Sequence, residues 1–300
     1  MTPSRCTHLL AAMFVAVFAG NSSGDEVSEK QKKAALEKLA KAEVKRAAAV
    51  EGEAVIAVGQ LPEARLRAIA ATLAKTAKLG RKALQFDDKE EPWKGKLTVI
   101  YLPERKDFAQ YMRLVVGQRP ETSWAISIRG DEPFVISGAD LNARASNADI
   151  AAELSPLVAS AMLQAKVGTT AKPPRWVERG LGNVVAWRAD GMSGKRFSAY
   201  KTKARAAVLG GGGRPAAPIA DVWSGERPDG EWLAASLMDF LAFGPGAANF
   251  PKFLSALRPG ENGEDPAITT AIEAAGWKKP AELEIAWRKW VTAGSPVKRQ

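Results

Sequence analysis

The chain has 300 residues, a formal net charge of +10, and 46% hydrophobic against 25% charged residues, with a single histidine and a single cysteine. That length supports a core without disulfide staples, in one large domain or two small ones. The mild basicity fits plain solubility as well as contact with wall polymers, headgroups or nucleic acid. The first 19 residues read as a signal peptide: Arg5, then the uncharged apolar stretch from Leu9 to Ala19, ending in the small-x-small pattern Val17-Phe18-Ala19. The apolar stretch falls short of the ~20 residues that span a bilayer. No later run reaches the ~18 unbroken apolar residues of a membrane helix, so a secreted or periplasmic protein without a transmembrane segment is expected. His8 and Cys6 both lie in this leader. The mature chain would then hold no imidazole and no thiol. That excludes zinc sites of the His or Cys type, Ser-His-Asp triads, Cys-His pairs and histidine acid–base catalysis.

Residues 20–50 are expected to form a charged helical arm or spacer. From Asp25 to Val50 lysine and glutamate are interspersed, which favours i,i+4 pairs, and the apolar side is mostly alanine with Leu36, Leu39 and Val44. Such a face predicts loose packing on the rest of the protein. Residues 51–140 read as an α/β subdomain. Its strands are predicted at Glu53–Gly59 and at the β-branched Lys96–Leu102, with amphipathic helices at Leu61–Leu84 and Arg105–Val116. A hairpin follows, from the SWAISIRG and PFVISG segments, with Arg129 to Glu132 as the connection. Arg129-Gly130-Asp131 is read as turn chemistry rather than as an adhesion signal.

Residues 141–300 read as a helical subdomain, making the whole α+β: a small mixed sheet with helices, then a mainly helical C-terminal part. Helices are expected at Phe197–Val208, Glu231–Ala242, Phe250–Leu257, Ala267–Ala275 and Pro280–Val291. Lys201, Lys203 and Arg205 are placed on a solvent face. The glycines from Gly210 to Gly213 are read as a flexible loop, since no strand precedes them and no Lys-Ser/Thr follows. Leu283, Trp287 and Trp290 share one helix face and are expected in the core.

The most informative stretch runs from Ser146 to Asp190. Ser146 with Asp149 three residues on has capping-box spacing before an apolar run. After a loop from Thr169 to Pro174 comes a second helix, PRWVERGLGNVVAWRAD. Pro156 lies within the first helix, which either kinks there or breaks near Leu154 and restarts with Ser155 as cap.

Pro174, Arg175, Trp176, Gly180 and Leu181 give the second helix a pattern that resembles the gluzincin metallopeptidases, in particular the peptidase MA-like group. Gly276, Leu283, Glu284 and Trp287 are similar to that group's C-terminal part, and the order of elements agrees from about residue 50 to 292. The resemblance implies a first metal-ligand position at Ala152, the catalytic glutamate at Glu153, a second ligand position at Pro156 and a third at Arg179. All three ligands are replaced and only the glutamate is kept. Two ligands at i and i+4 share a helix face, which is how His-Glu-x-x-His holds zinc. Ala152 and Pro156 offer no donor atom there.

The expectation is therefore an exported pseudo-peptidase of gluzincin-like fold, a non-catalytic binding or scaffold protein of the cell envelope with no cofactor and no metal. Its partner would be a protein, a peptide or an envelope polymer, with no specific nucleic acid. In the family the edge of the last strand holds extended peptide, so Trp124–Arg129 or Phe134–Ser137 would offer that edge unless both are covered. Arg179 would stand where the cation was and pair with Glu153; the alternative is a guanidinium turned to solvent. Two other readings stay open. One is a metal-independent hydrolase using carboxylates from Glu153, Glu178 and Asp190. The other is a polyanion-binding envelope protein using the lysine-rich arm and residues 194–205. A metal held by carboxylates alone would suit calcium or magnesium.

Overall fold

The computed structural model describes residues 22–138, 141, 145–169, 171–210, 216, 218–224, 227–259 and 267–296. The expected signal peptide, with Cys6 and His8, and glycines 211–213 of the glycine run lie outside the described residues.

Five strands form one mixed sheet: β1 (Ala48–Glu51), β2 (Val55–Gly59), β3 (Leu97–Tyr101), β4 (Trp124–Ser127) and β5 (Phe134–Ser137), in the order β1-β2-β3-β5-β4. The three inner strands are parallel and each outer strand is antiparallel to its neighbour. Parallel strands covered on both faces need apolar side chains on both, which explains the unbroken VIAV and LTVIY runs. Ile56, Val58 and Ile100 face one layer, made by α1 (Ser22–Lys41) and α3 (Arg105–Tyr111). Val55, Ala57 and Val99 face the other, made by α2 (Glu63–Ala83) and α4 (Asn147–Val167).

The expected arm is a structural layer rather than a loose spacer. Its helix ends at Lys41 and the chain enters β1 at Ala48, so residues 48–50, expected in the arm, are strand and not helix. Ala35 and Leu39 are buried in the cluster with Ile56 and Tyr111. Small alanines let the helix lie close to the sheet, where larger side chains would hold it away. Gln31 ties it down: its amide donates to the carbonyls of Lys94 (3.3 Å) and Asp131 (3.4 Å), and its carbonyl accepts the Lys96 N–H at 3.0 Å.

The hairpin has a longer connection than expected, because Ser127 pairs with Phe134 and residues 128–133 lie between. The predicted helix 105–116 is α-helical only to Tyr111. It widens into a π-turn over Met112–Val116, which Gly117 ends in the left-handed conformation at φ 77°.

The remaining helices are α5 (Arg175–Ala189), α6 (Lys195–Leu209), α7 (Ile219–Ser224), α8 (Gly230–Phe243), α9 (Phe250–Ser255), α10 (Ile268–Ala274) and α11 (Pro280–Thr292). Short α7 was not anticipated. One apolar cluster runs from the sheet through α2 and α4 into α5, α8 and α11, and Leu283, Trp287 and Trp290 are buried within it as expected. The capping box forms: Ser146 Oγ accepts the Asp149 N–H at 3.2 Å and the Asp149 carboxylate accepts the Ser146 N–H at 3.1 Å. Helix α4 continues through Pro156, so the break near Leu154 does not occur. Proline has no N–H, so the Ala152 carbonyl loses its helical partner four residues on.

Helix α5 lies between α4 and α8 at very short range. A Cβ at Gly180 would stand 2.6 Å from the Ala234 carbonyl oxygen, and one at Gly182 would stand 2.8 Å from that of Pro156. Glycine is required at both positions by backbone approach alone.

A buried ionic cluster joins α5, α6 and α8. Asp239 is 0% exposed. One of its oxygens accepts Arg188 Nε at 2.7 Å and Nη2 at 2.5 Å. The other accepts Lys201 Nζ at 2.9 Å and the Tyr200 hydroxyl at 3.0 Å. Lys201 is therefore half-buried rather than on the expected solvent face, while Lys203 and Arg205 are exposed as read. Removing one partner of a buried pair strands the other charge. Asp239→Asn is expected to cost about 3–5 kcal/mol in urea unfolding, far more than an exposed ion pair contributes.

Candidate functional site

Ala152, Glu153 and Pro156 are half-buried on the side of α4 that faces α5 and β4. With Arg179 they line a single cleft of about 300 Å³, closed by Trp124 of β4 and by Asn183, Trp187 and Glu231. All four positions given by the family resemblance thus fall in one place. The fold carries out what the helix spacing implied: residues at i, i+1 and i+4 of α4 meet the second helix near its start.

The expected ion pair between Glu153 and Arg179 is not among the salt bridges of the described residues. Glu153 Oε1 instead accepts the Ser137 hydroxyl at 3.3 Å, which turns the carboxylate toward the end of β5. Arg179 is exposed, and its guanidinium lies 5.9 Å from the centre of the Trp124 ring. Two neighbouring carboxylates, Glu231 and Glu178, oppose the effect of burial and of Arg175 on its charge. A solvated cation stacked on an aromatic ring has little to gain from a partner that must also be desolvated.

Glu178 is the perturbed group of the cleft. Burial pushes its carboxyl above the usual carboxylate range, partly offset by the Gln164 amide, which donates to it at 2.9 Å, and by Arg179 and Arg175. The Ser160 hydroxyl donates to the Glu178 carbonyl at 3.2 Å and ties the start of α5 to α4. Asp190, the third carboxylate of the hydrolase reading, is elsewhere: it ends α5, lies 4.0 Å from Arg196, and is not part of the cleft wall.

Sequence reading missed Asn183, Trp187 and Glu231. Asn183 and Trp187 follow Arg179 at i+4 and i+8, a face that helical periodicity alone could have revealed. Glu231 comes from the start of α8 and accepts the Asn183 amide at 3.0 Å; no local signal pointed to it. Trp187 stacks on Trp232, with ring centres 5.2 Å apart and an interplanar angle of 20°, and forms a rigid aromatic wall.

A second groove of about 530 Å³ continues from the cleft along β4, lined by residues 125–129, Gln164 and Lys172, and Glu178 borders both. β4 is the outermost strand on this side of the sheet. The Ser123 carbonyl accepts the Gly138 N–H at 2.7 Å, so the alternating pattern turns the peptide groups of Trp124 and Ile126 to the open edge. Of the two candidate edges, the first is an edge strand, with its Trp124 carbonyl accepting the Thr122 hydroxyl at 2.5 Å, and Phe134–Ser137 is an inner strand.

The metal centre implied by the resemblance does not fit these residues. Ala152 and Pro156 have no donor atom and Arg179 is a cation. Among the described residues no group of three His, Cys, Asp or Glu side chains is placed to hold a metal ion. No described helix is long and apolar enough to cross a membrane. No protein-family model matches the chain, and no curated protein matches its sequence.

A carboxyl with a raised folded-state pKa binds its proton more tightly in the native state than in the unfolded chain. Stability therefore falls as pH rises from the ordinary Glu value of 4.5 through the raised one. Glu178→Gln removes the titration. The stability gained by the variant is expected to grow across that window and then level off, as read by urea unfolding at closely spaced pH values. Parallel profiles would mean that Glu178 is solvated.

Proposed function

We propose that the protein is an exported, non-catalytic binding module of the cell envelope, a pseudo-peptidase that holds an extended peptide along β4 in a gluzincin-like cleft. One observation carries the reading: Ala152, Glu153, Pro156 and Arg179 converge in a cleft beside an open strand edge, and none of the three ligand positions can hold zinc. Peptide pairing with an open edge draws affinity from main-chain hydrogen bonds and specificity from pockets for alternate side chains. The cleft supplies such a pocket, and its walls carry Glu153 and Glu231 against Arg179 alone, with Glu178 biased toward its neutral form. It therefore favours a lysine or arginine side chain of the peptide over an acidic one.

The polyanion reading loses part of its support from the arm, where four of the seven cations are matched, Lys41, Lys45 and Arg46 being the others. Lys30 pairs with Glu26, Lys32 with Glu29, Lys33 with Glu37 and Lys38 with Glu132. The carboxylate-hydrolase reading keeps one specific support: Glu178, biased toward its protonated form, and Glu153 line the same cleft, the division of roles that an acid and a second carboxylate need. It requires that Glu178→Gln abolish cleavage of an envelope polysaccharide.

The purified protein is expected to bind no stoichiometric zinc and to show no chelator-sensitive cleavage of a generic peptide substrate. It is expected to enrich basic peptides from a random displayed library. Ile126→Pro removes an outward N–H without touching the ladder to β5 and should weaken those peptides at least tenfold. Tight stoichiometric zinc with chelator-sensitive activity would overturn the proposal, as would peptide binding indifferent to Ile126→Pro.

A further inference from the structure

A cavity larger than the cleft is bordered by described residues. It measures about 1240 Å³ and lies where the end of α2, the end of α5, the first turns of α6 and the loop after α8 meet. It shares no wall residue with the cleft, so nothing said of it rests on the peptide-binding reading.

Its charges are all of one sign. Lys82, Arg188 and Lys201 contribute to the wall and, among the described residues, no acidic side chain does. The nearest counter-charge is Asp239 behind the wall, and both of its oxygens are already used by Arg188, Lys201 and Tyr200. Arg188 and Lys201 thus share one buried carboxylate, which leaves one positive charge of this cluster uncompensated, besides the exposed Lys82 on the rim. Burial lowers the Lys201 pKa in spite of Asp239, so a further anion beside it would be stabilising.

The donors are fixed as well as charged. The Arg188 side chain is 5% exposed, and Asp239 holds two of its three nitrogens. The third, Nη1, has only the Met192 thioether, at 3.9 Å. Sulfur is a weak acceptor, so a buried guanidinium edge stands ready for a better one. Phe243 and Phe197 flank the guanidinium, at 4.3 and 5.2 Å from their ring centres. The rest of the wall is mainly apolar, including Leu79, Ala83 and Pro245. A mostly apolar pocket with a few convergent polar groups is the usual form of a small-molecule site.

We propose that this cavity binds a small amphipathic carboxylate, an acyl-chain anion. Its head group accepts from Arg188 Nη1 and Lys201 Nζ, and its chain lies along Phe243, Phe197 and Leu79. A carboxylate has two oxygens for these two donors, and its single charge matches the single excess charge of the Arg188–Lys201–Asp239 cluster. A neutral chain would leave the guanidinium edge unpaired, and a cationic amphiphile would add a further positive charge.

The test is fluorescence titration of the purified protein with dansyl-undecanoate, followed by displacement with dodecanoate, dodecanol and dodecyltrimethylammonium. Saturable binding of one probe per chain is expected, displaced by dodecanoate at concentrations at least tenfold lower than by the other two. Ser198 is an exposed wall residue one helical turn before Lys201 whose side chain takes no part in the buried cluster, so Ser198→Glu keeps the fold and brings a negative charge to the rim. It should weaken the probe at least tenfold while Ser198→Gln leaves it unchanged, and Lys201→Met should weaken it in the same sense. Absence of saturable binding, equal displacement by dodecanol, or equal affinity of the Ser198→Glu and Ser198→Gln proteins would each overturn the proposal.

Discussion

Asp239 is the point on which the helical half of the protein depends. Its carboxylate sits within an apolar helix, fully out of solvent, and survives there only because two other helices bring three donor side chains to it. Desolvating that charge is expensive, and the cost is recovered only when α5, α6 and α8 are all in place. The arrangement is thus cooperative: Arg188, Tyr200 and Lys201 reach their partner in one packing of these helices and in no partial one. Trp187 stacks on Tyr200 next to the cluster, 4.8 Å between ring centres, and carries the constraint from the ionic cluster to the cleft wall.

Helix α5 joins the two sites. Toward its start, Arg179 and Asn183 face the cleft; toward its end, Arg188 faces the large cavity. Between them Gly180 and Gly182 give it backbone contact with α8 on one side and α4 on the other. Its sequence is therefore constrained three times over: by close approach, by the cleft and by the buried salt bridge. Little of α5 is left for solvent.

The cleft has the walls and the adjacent strand edge that a peptide-binding site needs, but its electrostatics differ from those around a bound cation. Glu153 bonds to Ser137 of the sheet, Glu178 is biased toward its protonated form, and Arg179 is spread over an aromatic ring. Each charge is settled by a local neighbour. No common centre collects them, as a metal ion would have done.

Much of this was legible in the sequence because it rests on local rules. The unbroken apolar runs of β2 and β3, the period of α2, the Ser146–Asp149 capping box and the buried Leu283, Trp287 and Trp290 all follow from period, propensity and capping chemistry. The side chains of Ala152 and Pro156 carry no ligand atom whatever the fold. β1 was hidden because an alanine-rich segment reads as helix until a strand beside it offers a ladder. The partners of Glu153, Arg179 and Lys201 were hidden for another reason. A charged side chain takes whichever neighbour the packing supplies, and Ser137, Trp124 and Asp239 lie 16 to 55 residues away along the chain. The sequence by itself determined most of the elements and the missing ligand side chains at positions 152 and 156. Only the tertiary structure decided which charges are buried together and which strand edge stays open, because both depend on contacts between distant segments.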